Sequence, residues 1–209
     1  MPTGHRRRKE ARPAEILAAA LAEFSKQGFA ATRLDDVAQR AGITKGTIYL
    51  YFDSKEALFR ALLQQEAGRT FDLLEAMMAS HDGPVAPLLR QLIHTAGRQL
   101  VQSDLRALIW LLISEGPRFP DLLAFHHGEV IRRGRALLAS LVERGIERGE
   151  FRANGLAEYP QIVVGGPMLA LLWTQLFARF EPLDLEAYLD VFADTLLEGL
   201  LSRAEPSSC

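Results

Sequence analysis

Apolar residues along this 209-residue chain return every three or four positions, and no run alternates polar with apolar for long enough to make a strand. The pattern therefore predicts an all-α protein of about nine helices. From Pro13, a good first-turn residue, Ile16, Leu17, Ala20, Leu21 and Phe24 share one helical face, which Gly28 terminates. Thr32, three residues before Asp35, reads as the cap of the next helix, where Leu34, Val37, Ala38 and Ala41 repeat on one face until Gly42 closes it. Thr44 caps a second short helix whose buried edge is Ile48 and Phe52. A capping-box spacing from Asp53 to Glu56, with Ser54 an alternative cap, opens a long helix docked by Leu58, Phe59 and Leu62 and running to about Ala79. Beyond the loop S-H-D-G-P-V-A-P, helices are predicted over 85–102, 104–114 and, after the break E-G-P-R-F-P, 121–149. The second of these, L-R-A-L-I-W-L-L-I, is apolar almost all round and belongs in a core. The stretch 159–178 carries no charge and reads as a buried helix kinked or locally broken at Pro167, with Gly165 and Gly166 permitting close backbone approach. After the turn E-P-L-D, a last helix shows one long stripe of Leu185, Tyr188, Leu189, Phe192, Leu196 and Leu200.

The two short helices and the Gly-containing turn between them make a helix-turn-helix, whose second helix enters the DNA major groove. At about 100° per residue, the face of that helix opposite Ile48 and Phe52 carries Gly46 and Leu50, flanked by Thr47 and Tyr49, with no acidic residue among them. Gly46 leaves room for backbone beside a phosphate, Lys45 adds positive charge at the helix start, and the threonines and tyrosines supply short hydrogen bonds. The run G-I-T-K-G-T-I-Y-L-Y-F-D-S-K-E-A-L resembles the DNA-binding signature of the tetracycline-repressor family of bacterial regulators, closely so over about residues 12 to 60. Geometry and resemblance together assign Thr44, Lys45, Thr47, Tyr51 and Lys55 to phosphates, and Gly46, Tyr49 and Leu50 to the groove. Thr32 is a cap to which a phosphate contact would be additional. Leu50 departs from the polar or aromatic residue expected there; its groove role is contact with a thymine methyl, and the other reading is packing within the chain. The resemblance implies a DNA-binding domain at 13–53, preceded by a basic flexible arm at 1–12. A helical ligand-binding and dimerisation domain over 54–203 follows, then a tail at 204–209.

Charge supports that division. Residues 1–60 hold 11 Lys and Arg against 7 Asp and Glu, net +4, leaving 13 against 19, net −6, for the remainder. A basic end on an acidic body is the footprint of contact with a polyanion. Arg6, Arg7, Arg8, Lys9 and Arg12 make up the arm, which adds charge without sequence selectivity. The single cysteine, Cys209, allows no intrachain disulfide, and no apolar segment follows the N-terminal charges, so a cytoplasmic protein is expected. The uncharged stretch near 160–178 is interrupted too often by Pro, Gly, Gln and Thr to read as a membrane span.

In the second domain Phe71, His94, Trp110, Phe125, Met168, Trp173 and Phe177 are candidates to line an effector site. Two tryptophans on helices expected to face each other point to a hydrophobic or aromatic ligand, with His94 a polar contact. Taken singly, each reads better as core, since an aromatic at helical spacing is most often packing. The stripe of the last helix, together with Leu169, exceeds what one protomer covers and predicts a twofold four-helix interface in a homodimer, which is also what two half-sites require. No cofactor is called for. His126 and Glu129 have the spacing of a metal half-site but no second copy exists, and no G-x-S-x-G, G-x-G-x-x-G or G-x-x-x-x-G-K-[ST] occurs, so neither a metal site nor an enzyme is expected. Capping and an ion pair with Arg118 account for Glu115 and Asp121. The competing reading is a helical ligand- or protein-binding module without specific DNA recognition.

Overall fold

The computed structural model describes residues 3–201, and side chains from residue 12. The expected arm side chains Arg6, Arg7, Arg8 and Lys9, and the tail with Cys209, lie outside the described residues. Among the described residues ten α-helices follow one another, and the only β feature is an isolated antiparallel bridge between Phe151 and Leu201. The helices are α1 (Thr3–Ala31), α2 (Leu34–Arg40), α3 (Lys45–Tyr49), α4 (Lys55–Ala79), α5 (Val85–Gln102), α6 (Leu105–Glu115), α7 (Pro120–His126), α8 (Arg132–Glu147), α9 (Ile162–Phe177) and α10 (Leu185–Leu200). A π-helical turn, His127–Ile131, joins α7 to α8, so the single helix expected there is one helical run with a bulge inside it.

Several boundaries differ from the sequence reading. Helix α1 begins at Thr3 and carries Pro13 inside it. The residues before Pro13 are mostly good helix formers, and Pro13 removes one backbone donor without preventing continuation. The cap of α2 is Arg33, not Thr32: the Arg33 N–H donates to Asp36 Oδ2 at 3.2 Å, while the Thr32 hydroxyl turns back to donate to Gly28 O at 2.6 Å. Ser54 and not Asp53 caps α4, its Oγ accepting from Ala57 N at 3.1 Å. Pro167 sits within a continuous α9, so no break occurs there.

The described residues form two compact units: 3–68 with 104–129, and 69–103 with 130–201. In the first, α1 packs against α2 and α6, and α2 against α3. Its centre is aromatic: Phe24, Phe29 and Phe59 lie with ring centroids 5.3–5.8 Å apart, and Phe119 meets Phe29 edge-on at 4.7 Å. Such pairs add about 1 kcal/mol each beyond the area they bury. In the second unit α5 is central, packing against α8, α9 and α10. Gly97 on α5 and Gly166 on α9 let both helices approach α10, because a Cβ would press on Leu189 at 2.7 Å or on Phe192 at 2.5 Å respectively. Along the α5–α10 seam, Arg90, His94 and Arg98, four residues apart, face Asp194, Asp190 and Glu186. The Arg98 guanidinium, then His94, hold the Glu186 carboxyl down at about 2.

Candidate nucleic-acid interface

Helix α3 has a single turn and a half in which to show two faces, and its cap fixes which face is which. Thr44 Oγ1 accepts from Thr47 N at 3.3 Å and lies 2.9 Å from the Thr47 hydroxyl. Ile48 is then fully buried, while Gly46, Tyr49 and Leu50 are exposed, Leu50 to 79%. A single exposed aliphatic residue is ordinary on a protein surface, so the openness of Leu50 makes it available for contact without itself requiring a partner. Thr47 and Tyr51 are half-buried at the margins. The Lys45 ammonium sits 2.9 Å from Asp35 Oδ2 on α2, which raises its pKa, chiefly through that hydrogen bond. Both side chains are about half exposed, so the pair is weak and open to exchange with a phosphate.

Two predicted contact residues serve the scaffold behind this face. Thr32 is buried. Lys55 donates to three backbone carbonyls, Phe29 O at 2.6 Å, Thr32 O at 3.0 Å and Ala30 O at 3.1 Å, and lies over the Phe29 ring at 4.6 Å. Burial pushes its pKa down against the pull of Glu56 and Glu115. The stretch of chain that Lys55 holds begins at Gly28, whose φ of 85° interrupts α1 and turns the next amides outward. Those amides meet the Glu115 carboxylate from the end of α6: Phe29 N and Ala30 N donate to Oε1 and Oε2, both at 2.8 Å. Glu115, read from sequence as paired with Arg118, instead clamps a turn 86 residues away. A Cβ at Gly28 would fall 2.7 Å from its Oε1. Nothing local in the sequence marks this partnership; the only trace is a carboxylate ending an otherwise apolar helix just before a break.

The chain can be compared with known proteins on this basis. The family described as bacterial regulatory proteins, tetR family, matches residues 16–62, which are α1 to the start of α4. A second description, tetracyclin repressor-like C-terminal domain, matches residues 79–196. This chain belongs to the TetR family. RutR, an HTH-type transcriptional regulator of Escherichia coli, is 48% identical over 149 residues, 68% of each chain. TtgR, an HTH-type transcriptional regulator of Pseudomonas putida, is 31% identical over 198 residues, covering 88% of this chain and 90% of TtgR. The structure of Bacillus subtilis FadR in complex with stearoyl-CoA superposes with a TM-score of 0.77 at 21% identity, covering 89% of this chain and 98% of FadR, and so shares its fold. The TetR-family chain is accordingly a DNA-binding transcriptional regulator whose relatives are regulators and not enzymes.

For this TetR-family member the seven expected effector-lining residues divide between the two units. Trp110 and Phe125 belong to the first unit; Phe71, His94, Met168, Trp173 and Phe177 belong to the second. Within the second unit, Phe71 lies against Gly134 and under the Arg133 guanidinium at 4.8 Å, and His94 has each ring nitrogen 3.1 Å from a carboxylate oxygen. Trp173 and Phe177 pack with tilted rings, centroids 5.2 Å apart, and the indole N–H donates to Glu181 O at 3.0 Å. Of the expected interface residues, Leu185, Leu189 and Leu200 are buried in the protomer's own core, and Tyr188, Phe192 and Leu196 are half-buried. Leu169 is exposed, in line on α9 with exposed Ile162 and Leu176; Val191 on α10 is 66% exposed. An apolar-lined groove of 310 Å³ opens in this unit between the 154–162 segment and α10, where Phe192, Leu196 and Leu200 line one wall. Among the described residues no cluster of three or more His, Cys, Asp or Glu could hold a metal ion, and no helix is long and apolar enough to cross a membrane.

Proposed function

We propose that this TetR-family regulator is a repressor that binds a palindromic operator as a twofold dimer and leaves it when a small hydrophobic or aromatic effector binds. The observation that carries the reading is the exposed, acid-free face of α3, with Gly46, Tyr49 and Leu50 presented to solvent by a fully buried Ile48. Gly46, Tyr49 and Leu50 face the groove; Thr44, Lys45, Thr47 and Tyr51 face phosphates. Lys55 and Thr32 act from behind, holding the turn that carries α2, and Lys55 reaches a phosphate only as its carbonyl partners yield. Few of these side chains make bidentate base contacts, so selectivity relies on half-site spacing and DNA shape as well as on the groove residues.

The dimer is supported by Ile162, Leu169 and Leu176, spaced at two-turn intervals on α9, with Val191 on α10, which together leave an apolar face open to a second copy. An effector is supported by the fold, which in Bacillus subtilis FadR occurs in complex with stearoyl-CoA. Release requires that the effector prefer the conformation in which the two α3 helices no longer match successive major grooves, about 34–36 Å apart or a multiple, since a ligand binding both conformations equally shifts nothing. Helix α4 begins directly after the DNA-binding helices and is the proposed carrier of that shift. Selection from random duplex DNA at near-physiological salt tests the reading. Enrichment of a palindrome bound about 10³-fold or more above scrambled duplex supports it; salt-sensitive binding without enrichment leaves only a helical binding module.

A further inference from the structure

Two buried side-chain nitrogens stand without a hydrogen-bond partner among the described residues, Arg60 Nε and His126 Nδ1. They belong to two elements of the first unit that touch. Arg60 lies in the second turn of α4, and its guanidinium carbon is 5.4 Å from the ring centroid of Phe125, the residue before His126 in the last turn of α7. A π-helical turn follows at once, a feature that recurs at functional sites. Proteins rarely leave a buried donor unmatched, because its lost hydration is not recovered. An Arg Nε–H can only donate, so its missing partner is an acceptor.

We propose that Arg60, Phe125 and His126 form the anchor for the carboxylate of a small organic acid, with Arg60 Nε–H and the imidazole holding the two oxygens and the Phe125 ring bearing on the apolar body. The pairing of one guanidinium with one carboxylate matches charge, because burial, and then the neighbouring His127, lower the His126 pKa to about 4 and leave its ring neutral near neutral pH. Side-on contact through Nε is a geometry that guanidinium offers and ammonium does not. This assignment rests on the effector-responsive reading above and narrows it: the effector is an acid whose body is apolar.

The test uses purified full-length protein near neutral pH with three matched pairs of probes: acetate and acetamide, benzoate and benzamide, octanoate and octanamide. Thermal shift gives apparent affinity, and NMR follows the His126 ring signals, identified by their loss in His126→Gln. At least one acid is expected to raise the melting temperature and move the His126 resonances where its amide does neither, with Arg60→Lys weakening it ~10-fold or more. The proposal is overturned by amides that bind as well as the acids, by acids that bind Arg60→Lys undiminished, or by no acid effect on Tm or on His126 at millimolar concentration. Should Arg60→Lys fail to fold by circular dichroism, the His126 resonances of the unmodified protein decide alone. Operator affinity is measured in parallel without acid. Specific DNA binding with no acid effect removes the anchor and leaves the regulator; an acid effect without specific DNA binding does the reverse.

Discussion

Helices α3 and α10 both carry an apolar stripe, but only in α3 does the stripe say which side is free. Ile48 is fully buried and the residues opposite it are exposed, because a helix of five residues has one neighbour and one open side. In α10, of 16 residues, Leu185, Leu189 and Leu200 turn into the protomer while Val191 stays open, since a helix inside a bundle has neighbours on more than one side. Periodicity identifies what must be covered; it does not name the chain that covers it.

The largest effect that sharpens this contrast is on assembly. Leu169→Glu combined with Val191→Glu places charge on the open side and is expected to weaken dimerisation by ~100-fold or more, read by sedimentation, with little loss of helicity. Leu189→Ala, on the closed side, is expected to cost about 2–4 kcal/mol of folding stability and to leave dimerisation of the folded protein intact. Reversal of the two outcomes would break the comparison.

Next in size is an acid response in the first unit. The folded-state pKa of His126 is depressed to about 4 from 6.5, so between those values the unfolded chain holds a proton that the folded chain resists. Stability from this group is complete above pH 6.5, falls as the pH falls toward 4, and changes no further below. The loss is on the order of 3 kcal/mol, and urea titrations across this range should show a slope that His126→Gln removes.

Glu115→Gln follows. It removes one of two carboxylate acceptors from the Phe29 and Ala30 amides, and a loss of about 1–2 kcal/mol is expected in denaturation. Smallest are the surface effects at α3. Lys45→Ala should weaken binding to all duplexes about 5-fold, and Asp35→Asn, by freeing Lys45 from its ion pair, should strengthen binding about 2-fold, both measured by fluorescence anisotropy.

The sequence carried the DNA-binding end well for a physical reason: caps, turn glycine and buried edge lie within a few residues of one another, so Thr44, Gly42 and Ile48 specify α3 locally. What it missed is long-range. Glu115 reaches Phe29 and Ala30 across 86 and 85 residues, and no spacing rule connects them. The motif assigns Lys55 to a phosphate because it follows the recognition helix; what no local spacing showed is that its ammonium also donates to the carbonyls that follow Gly28. The α5–α10 charges recur at i, i+4, i+8 on each helix, a spacing that entered none of the sequence expectations, and only packing pairs Arg90, His94 and Arg98 with Asp194, Asp190 and Glu186. The effector candidates were chosen by residue type and not by any local spacing, and two of them lie in one unit and five in the other.

The central claim is that the exposed face of α3 reads bases. Its most direct test is paired selection from random duplex with the unmodified protein and with Leu50→Ala, under identical salt. The claim predicts one palindrome from both, with Leu50→Ala losing preference at one symmetric base position by about 1 kcal/mol and affinity elsewhere retained. Identical preferences at every position, from two proteins binding equally well, would contradict it.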